Sequence, residues 1–493
     1  MPFDPDAAYL AVCARDARFD GRLFVGVTST GVYCRPICRV RTPRRENCRF
    51  FESAAQAEAQ SFRPCLKCRP EAAPGPGLAW SVMDASRTLA RQAAGWLDAQ
   101  AACGDAPALG ALAARLGVSD RHLRRIFQAE HGVTPLQYVQ TRRLLTAKQL
   151  LTDTRWPVAQ VALASGFRSV RRFNAAFAES YRMSPTRLRG ARDARAEDAA
   201  GSLGLQLGFR TPFDAPRLLR FLAQRAIPGI EAVDGLRIRR TVRACALGTR
   251  VDARGWIEAA FDPGAARLHL RIAPALAPAS AALCAGVRRW LDLDAAPDAV
   301  DAALRGLPGE PGLRLPGGLD AFELAVRAVL GQQVTVAGAR TLARRLVERF
   351  GEPVPTPWPG IDRLFPAPGR LAASAPEEIA ALGIIRARAQ GIVALARAWP
   401  QLSAHLAPHR PPEPLIAALC ELPGIGPWTA HYIAMRALGW PDAFLPRDVA
   451  VLKAMKQLYG CASQRDADAR AEAWRPWRAY AVLRLWNSLE TAA

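Results

Sequence analysis

The sequence predicts a multidomain, mainly α chain in which two small α/β modules alternate with two all-α ones. Three observations carry this. The 493 residues exceed what one hydrophobic core serves, and half of them are hydrophobic, so three or four cored domains are expected. Two stretches, Leu109–Phe127 and Val158–Phe177, repeat one pattern: an apolar helix, a Gly turn (Gly117, Gly166), then a basic helix. Near the C-terminus, Leu422-Pro-Gly-Ile-Gly-Pro-Trp-Thr-Ala430 reads as a glycine hairpin between two short amphipathic helices, Pro414–Leu422 and Trp428–Leu438.

Charge narrows the partners. Lys and Arg number 66 against 44 Asp and Glu, a net +22 with pI near 10.5, which favours a polyanion and, first among these, nucleic acid. An Arg- and Ala-rich compositional bias is the alternative. Against it, Arg115–Arg192 holds fifteen Arg or Lys and only four Asp or Glu. The start, Met-Pro-Phe-Asp-Pro-Asp, has neither a basic region nor an apolar run, so no signal peptide is expected. The longest uncharged run, Ile272–Val287, is too short for a membrane span and contains proline. A cytoplasmic, nucleoid-associated protein without membrane contact is expected, and in that compartment its eleven cysteines are not a disulfide framework.

Six of the eleven cysteines lie before Arg69. Four are paired, Cys34-x3-Cys38 and Cys65-x2-Cys68, a soft donor set suited to tetrahedral zinc. Cys13 and Cys48 read as packing or spare thiols. Spacing alone leaves a purely structural zinc, or a redox pair, open. The surrounding residues add to this. Thr28-Ser-Thr-Gly-Val-Tyr-Cys-Arg-Pro36, Arg44-Arg-Glu-Asn47 and Phe62-Arg-Pro-Cys-Leu-Lys-Cys-Arg-Pro70 resemble the N-terminal domain of the Ada-type adaptive-response proteins. The resemblance implies zinc on all four cysteines and a methyl acceptor, Cys34, that takes its methyl from a DNA methylphosphotriester. It also places Arg41 and Arg63 near DNA and Thr30 near the reacting cysteine. Arg35–Arg49 contains six Arg and one Glu, enough to hold a phosphate. A four-thiolate zinc has a formal charge of about −2, so methylating one thiolate removes about one negative charge and raises affinity for DNA, most visibly at low salt. The transfer is expected to be stoichiometric, because a thioether does not turn over.

After Pro74-Gly-Pro-Gly77, a linker, the two repeats have helix–turn–helix grammar, the second helix of each entering the major groove. Candidate DNA contacts are Arg121, Arg124 and Arg125, then Arg168, Arg171 and Arg172; Leu123, Ile126, Phe127, Phe173 and Phe177 are expected in the core. A connecting helix over Pro135–Leu151 and the closing Tyr181-Arg-Met-Ser-Pro-Thr-Arg-Leu188 make the pair resemble the AraC-family DNA-binding domain. A basic bundle touching only phosphates is the bland alternative.

A second linker, Ala191–Ser202, leads to strand-like alternation over Leu205–Pro278, as in Ala266-Arg-Leu-His-Leu-Arg-Ile272, interrupted by a helix over Leu218–Ala226. From Val300 the chain is expected to be helical. In the hairpin, Gly424 and Gly426 permit positive φ and close backbone approach, and the following helix offers unpaired N–H groups to a phosphate. Asp448 heads the next helix. An ordinary helix connection and a simple N-cap are the bland readings. Hairpin and carboxylate together, with Arg314-Leu-Pro-Gly-Gly-Leu-Asp-Ala-Phe322, resemble the helix–hairpin–helix glycosylases, and among them the 3-methyladenine DNA glycosylase II (AlkA-type) family, over about Leu205–Trp486.

That resemblance implies hydrolysis of an N-glycosidic bond after base flipping. Asp448 is then the catalytic carboxylate, with Asp442 far behind it. Trp428, Tyr432 and Trp486 become the pocket that holds an extruded cationic base between indole and phenol planes by stacking and cation–π attraction; core packing is the alternative. Gly424, Gly426 and Thr429 grip the DNA backbone, and the carbonyls of Cys420, Leu422 and Ile425 hold a monovalent cation. Gln333, in Gly331-Gln-Gln-Val334, stands at the wedge position where the compared family has Leu. Trp428 replaces the Schiff-base Lys of bifunctional relatives, so no strand cleavage is expected. The C-terminal iron–sulfur cysteines and a Pro-Cys-His-Arg methyltransferase site are both missing.

The expected organisation is thus a zinc-bound α/β domain (1–72), an all-α double helix–turn–helix domain (80–190), a supporting α/β subdomain (204–290) and an all-α helix–hairpin–helix domain (291–493). Expected partners are double-stranded DNA, both alkylated and promoter DNA, and RNA polymerase; a monomer is expected. The rivals are a transcription activator with an inert glycosylase-like tail, and a repair enzyme whose front half only supplies affinity.

Overall fold

The computed structural model describes residues 3–75, 85–103, 108–190, 202–249, 251–406 and 411–490. Residues 76–77 of the first expected linker and 191–201 of the second lie outside them.

The first module is a four-stranded sheet of β1 (Phe24–Val27), β2 (Val32–Cys34), β3 (Cys48–Phe51) and β4 (Arg63–Pro64), in the order β3-β1-β2-β4. β2 and β4 run parallel, with Val32 opposite Arg63 and Tyr33 opposite Pro64. One residue further along each strand stand Cys34 and Cys65, so this short pairing brings two distant cysteine pairs together.

The double helix–turn–helix takes the expected form. Helices Leu109–Arg115 and Asp120–His131 make the first unit, Val158–Ala164 and Val170–Tyr181 the second, and Pro135–Asp153 joins them. Each turn uses a left-handed glycine, Gly117 (φ 68) and Gly166 (φ 82), a conformation that side chains disfavour. Ser119 and Ser169 cap the second helices by accepting backbone N–H bonds. The joining helix starts in a capping box of Thr134 and Gln137 and runs two residues past Leu151.

A second sheet contains β5 (Leu203–Gly208), β6 (Glu231–Asp234), β7 (Arg237–Arg243), β8 (Arg254–Asp262) and β9 (Arg267–Ile272), antiparallel in the order β5-β9-β8-β7-β6. In β9, Leu268, Leu270 and Ile272 are buried while the residues between are partly open, the alternation expected of a half-covered sheet. Edge strand β5 is shielded by the joining helix, whose Gln149 Nε2 donates to Gln206 O at 2.9 Å. The second helix–turn–helix unit and this sheet share one apolar core, with Phe173, Phe177 and Leu150 in the same cluster as Leu205 and Leu270. The expected helix over Leu218–Ala226 is Ala215–Arg225.

The remainder is helical apart from short turns, the Pro- and Gly-rich runs 304–320 and 351–367, and the loop 438–448. Helix Ala321–Leu330 lies deep in one apolar cluster, and helices Val449–Tyr459 and Arg478–Glu490 build another. The sheet meets the helices through a buried square of charges. Arg240 pairs with Glu231 (3.2 Å) and Glu323 (2.6 Å), and Arg327 pairs with the same two (2.8 and 2.7 Å). Two cations and two anions, each with two partners, avoid the cost of an unpaired buried charge.

The zinc module touches both the helix–turn–helix domain that follows it and the back half. Arg69 bonds Asp153 and Glu71, and Lys148 bonds Glu71, all four being buried or nearly so. Arg210, 1 % exposed, donates to the carbonyls of Asp20, Asp294, Ala295 and Gly75.

Candidate active sites of the two halves

Cys34 ends β2, Cys38 lies in the turn after it, and Cys65 and Cys68 occupy the turn after β4. Their four sulfur atoms lie within 4.8 Å of one another. Zn–S bonds of about 2.3 Å in a tetrahedron put sulfurs about 3.8 Å apart, so a small contraction completes the site. The backbone N–H groups of Arg35 and Lys67 donate to Cys68 Sγ (3.3 Å) and Cys65 Sγ (3.4 Å), the support thiolate ligands need. Crowding polarises the thiols. Hydrogen bonds shared among the four raise Cys34 and Cys68 and lower Cys38 and Cys65. All four can lose their protons together only beside a cation, and the donor set fits zinc. Cys13 and Cys48 stand apart; Cys48 donates its thiol to Arg44 O.

The arginine run needs a correction. Arg35 does not face a phosphate: it is 8 % exposed, its Nε donates to Asp20 Oδ1 at 2.8 Å, and its Nη1 donates to Cys68 O. A buried aspartate demands its counter-charge, so this guanidinium is spent on the fold. Arg45 likewise pairs with Asp6 at 2.9 Å. Arg39, Arg41 and Arg49 are exposed and Arg63 is half-buried. Thr30 is exposed, with its hydroxyl donating to Val27 O. In the helix–turn–helix units, Arg121, Arg124, Arg125, Arg168, Arg171 and Arg172 are all exposed on the second helices or their approach, while Leu123, Ile126, Phe127, Phe173 and Phe177 are buried. Arg124 is engaged by Asp120 at 2.8 Å.

The second site lies where the two helical clusters meet; Tyr432 and Trp440 pack against both. The hairpin joins Glu413–Cys420 to Pro427–Ala437. Gly424 is left-handed (φ 76), and both it and Gly426 are exposed. Pro427 opens the second helix, where it removes an N–H that would have no intrahelical partner. Asp448 caps helix Val449–Tyr459, and its Oδ1 accepts the Val451 N–H at 2.8 Å. The N-cap reading is therefore true, and it is incomplete. The same Oδ1 accepts Trp486 Nε1–H (3.2 Å), and Oδ2 accepts Trp428 Nε1–H (2.8 Å). Asp448 is 5 % exposed, held by two indoles from different helices.

The three aromatics are together, but not as expected. Trp428 and Tyr432 stack on each other, with ring centroids 5.2 Å apart and planes 8° apart. No base fits between them; they form one wall. Trp486 stands 6.4 Å from Tyr432 at 43°. Burial raises the Tyr432 phenol, but Arg436 and Arg225 outweigh it and bring it below its ordinary value; Arg436 Nη1 donates to its oxygen at 2.6 Å. Thr429 is also corrected. Its side chain is 3 % exposed and turned inward, so any grip on DNA falls to its N–H. Asp442 is engaged by Arg475 and Arg478 and braces the C-terminal helix.

Sequence reasoning missed Arg436, Gln332 and Arg388. Arg436 is buried among the Pro316 and Gly317 carbonyls, tying the hairpin helix to the Arg314–Phe322 run. A basic residue four positions after Tyr432, on the same helical face, was the available signal.

A four-thiol metal centre, a paired helix–turn–helix and a hairpin beside a capped carboxylate define a DNA-repair glycosylase of the helix–hairpin–helix class joined to a DNA-binding regulator. Family models agree along the chain: the metal binding domain of Ada at residues 7–71, a helix-turn-helix domain at 112–191, the AlkA N-terminal domain at 204–320 and the HhH-GPD superfamily base excision DNA repair protein at 326–479. A probable bifunctional transcriptional activator/DNA repair enzyme AlkA of Mycobacterium tuberculosis is 38% identical over 99% of this chain and 97% of its own length. DNA-3-methyladenine glycosylase 2 of Escherichia coli is 37% identical and spans 57% of this chain and 95% of its own. The bifunctional transcriptional activator/DNA repair enzyme AdaA of Bacillus subtilis is 28% identical over 37% of this chain and 82% of its own. The chain belongs to the family in which an Ada-type zinc and helix–turn–helix regulator is fused to an AlkA-type glycosylase. Among the described residues no helix is long and apolar enough to cross a membrane.

Proposed function

We propose that this protein repairs and reports DNA alkylation with its two halves. The back half hydrolyses the N-glycosidic bond of 3-methyladenine and related alkylated purines. The front half takes a methyl group from a DNA methylphosphotriester and activates transcription from promoter DNA. The observation that carries the reading is the Asp448 carboxylate clasped by the Trp428 and Trp486 indoles, one helix and one loop after a glycine hairpin.

In the excision step the hairpin N–H groups at Gly426, Trp428 and Thr429 hold a phosphate, and Gln333 fills the gap left by the extruded base. The cationic base lies against the Trp428–Tyr432 wall. Its C1′–N bond breaks with both electrons moving to the base, which leaves neutral. Water adds at C1′ and loses a proton. Asp448 opposes the positive charge building on the sugar and orients that water. With Trp428 at the Schiff-base position, the reaction stops at base release, a monofunctional hydrolysis. A monovalent cation on the carbonyls of Cys420, Leu422 and Ile425 would strengthen the phosphate grip.

In the transfer step Cys34 Sγ attacks the methyl carbon; the S–C bond forms, the C–O bond breaks, and the phosphate leaves as the diester anion. Zinc on Cys34, Cys38, Cys65 and Cys68 supplies the charge that keeps the sulfur deprotonated. Arg41 and Arg63 hold the neighbouring backbone. The thioether ends the reaction after one turnover. Arg121, Arg124, Arg125, Arg168, Arg171 and Arg172 read or grip the promoter, and RNA polymerase is the partner in activation. We place the modules at 1–72, 80–190, 204–290 and 291–493, in a monomer of the cytoplasm associated with the nucleoid. The test is release of alkylated purines from methylated duplex DNA by the full chain; no release leaves only the regulator.

A further inference from the structure

We propose that Gln332 is a positioning residue: a latch that fixes the wedge residue Gln333 to the DNA-gripping hairpin. It rests on the glycosylase reading of the back half.

The loop between helices Ala321–Leu330 and Val336–Phe350 projects Gln333, exposed and in the left-handed region at φ 52. A side-chain-bearing residue held there is strained and persists only where its surroundings impose it. Its neighbour supplies the constraint. Gln332 Nε2 donates to Gly424 O at 2.8 Å and to Thr429 Oγ1 at 2.9 Å, reaching the hairpin's turn and its second helix across more than ninety positions. The amide orientation is forced, because Gly424 O only accepts. From the other side, Arg388 Nη2 donates to Gln332 O. Side chain and main chain of one residue are thus pinned to two separate elements.

This explains why Thr429 turns inward: its oxygen receives the latch. It also explains how binding becomes unstacking. A phosphate seated on the hairpin sets the wedge depth through two hydrogen bonds, with no loop to rearrange. Only the step that needs a wedge, extrusion from a paired duplex, depends on the latch.

The experiment uses the full zinc-loaded chain and its Gln332→Glu and Arg388→Met variants. Glutamate keeps length but places an acceptor against Gly424 O; Arg388→Met loosens the loop without touching the hairpin. Single-turnover release of 7-methylguanine is measured from a fully paired duplex and from the same base in an unpaired bulge. Fluorescence of 2-aminopurine beside the lesion reports unstacking. The expected result is a loss of about tenfold or more on the paired duplex for Gln332→Glu, less for Arg388→Met. The unstacking signal should fall in parallel, the bulge rate should change far less, and duplex affinity should hold. Equal losses on both substrates, or wild-type rates on the paired duplex, overturn the latch. An inactive wild type on both substrates instead removes the glycosylase reading, and the latch with it.

Discussion

Replacing Asp448 by Asn separates the charge of this residue from its place in the fold. The carboxylate accepts three bonds: Val451 N–H and Trp486 Nε1–H on Oδ1, Trp428 Nε1–H on Oδ2. An Asn with its oxygen at the Oδ1 position keeps the first two, and Asn caps a helix about as well as Asp. Its NH2 then faces the Trp428 N–H, donor against donor; the flipped amide offends two donors instead of one. The structural cost is therefore one charge-assisted bond, about 1.5–3 kcal/mol. A domain stable by about 5–15 kcal/mol survives that, with a lower melting temperature. The chemical cost is larger, about 10²- to 10⁴-fold in single-turnover base release, since the charge facing the sugar is gone. Trp428→Phe is the control: it removes the same hydrogen bond and leaves both the charge and an aromatic wall. Melting curves of the two variants should fall similarly, lesion-duplex affinity should persist, and only the Asn variant should lose nearly all excision. Excision by Asp448→Asn within about threefold of wild type would refute the catalytic assignment.

Other outcomes rest on the same geometry. Zinc-loaded protein incubated with methylphosphotriester DNA should gain one methyl on Cys34 by mass spectrometry; Cys34→Ser should gain none, and a chelator should abolish uptake while leaving base release. Tyr432→Ala should cut excision of cationic purines by about tenfold, whereas Tyr432→Phe, which keeps the stacked wall and loses only the Arg436 bond, should cut it far less. Burial first, against the pull of Arg314, pushes Asp292 up to about 6. A raised carboxyl favours folding below its unfolded pKa near 4 and loses that contribution as pH climbs through 6. Relative to Asp292→Asn, wild type should therefore lose stability between about pH 4 and pH 6; a difference flat with pH contradicts this.

Much of the site was legible because its signals are local. Cys34-x3-Cys38 and Cys65-x2-Cys68 are spacings that a turn imposes, each left-handed Gly of the helix–turn–helix units sits inside its own motif, and Asp448 is recognisable as the head of an apolar-periodic helix. Sequence alone also determined the excess of positive charge and hence the kind of partner. Tertiary structure decided which of several identical side chains does what. Arg35 and Arg41 are equivalent on paper, yet one is buried against Asp20, whose carbonyl is itself held by Arg210 from far along the chain, and the other is open. Trp486 reaches Asp448 across 38 positions, and Gln332 reaches Thr429 across 97. Trp428 and Tyr432 close on each other rather than standing apart as two walls. Each outcome depends on how separately formed helices pack, and packing is settled by shape and charge complementarity between distant segments, which no period along one strand of sequence records.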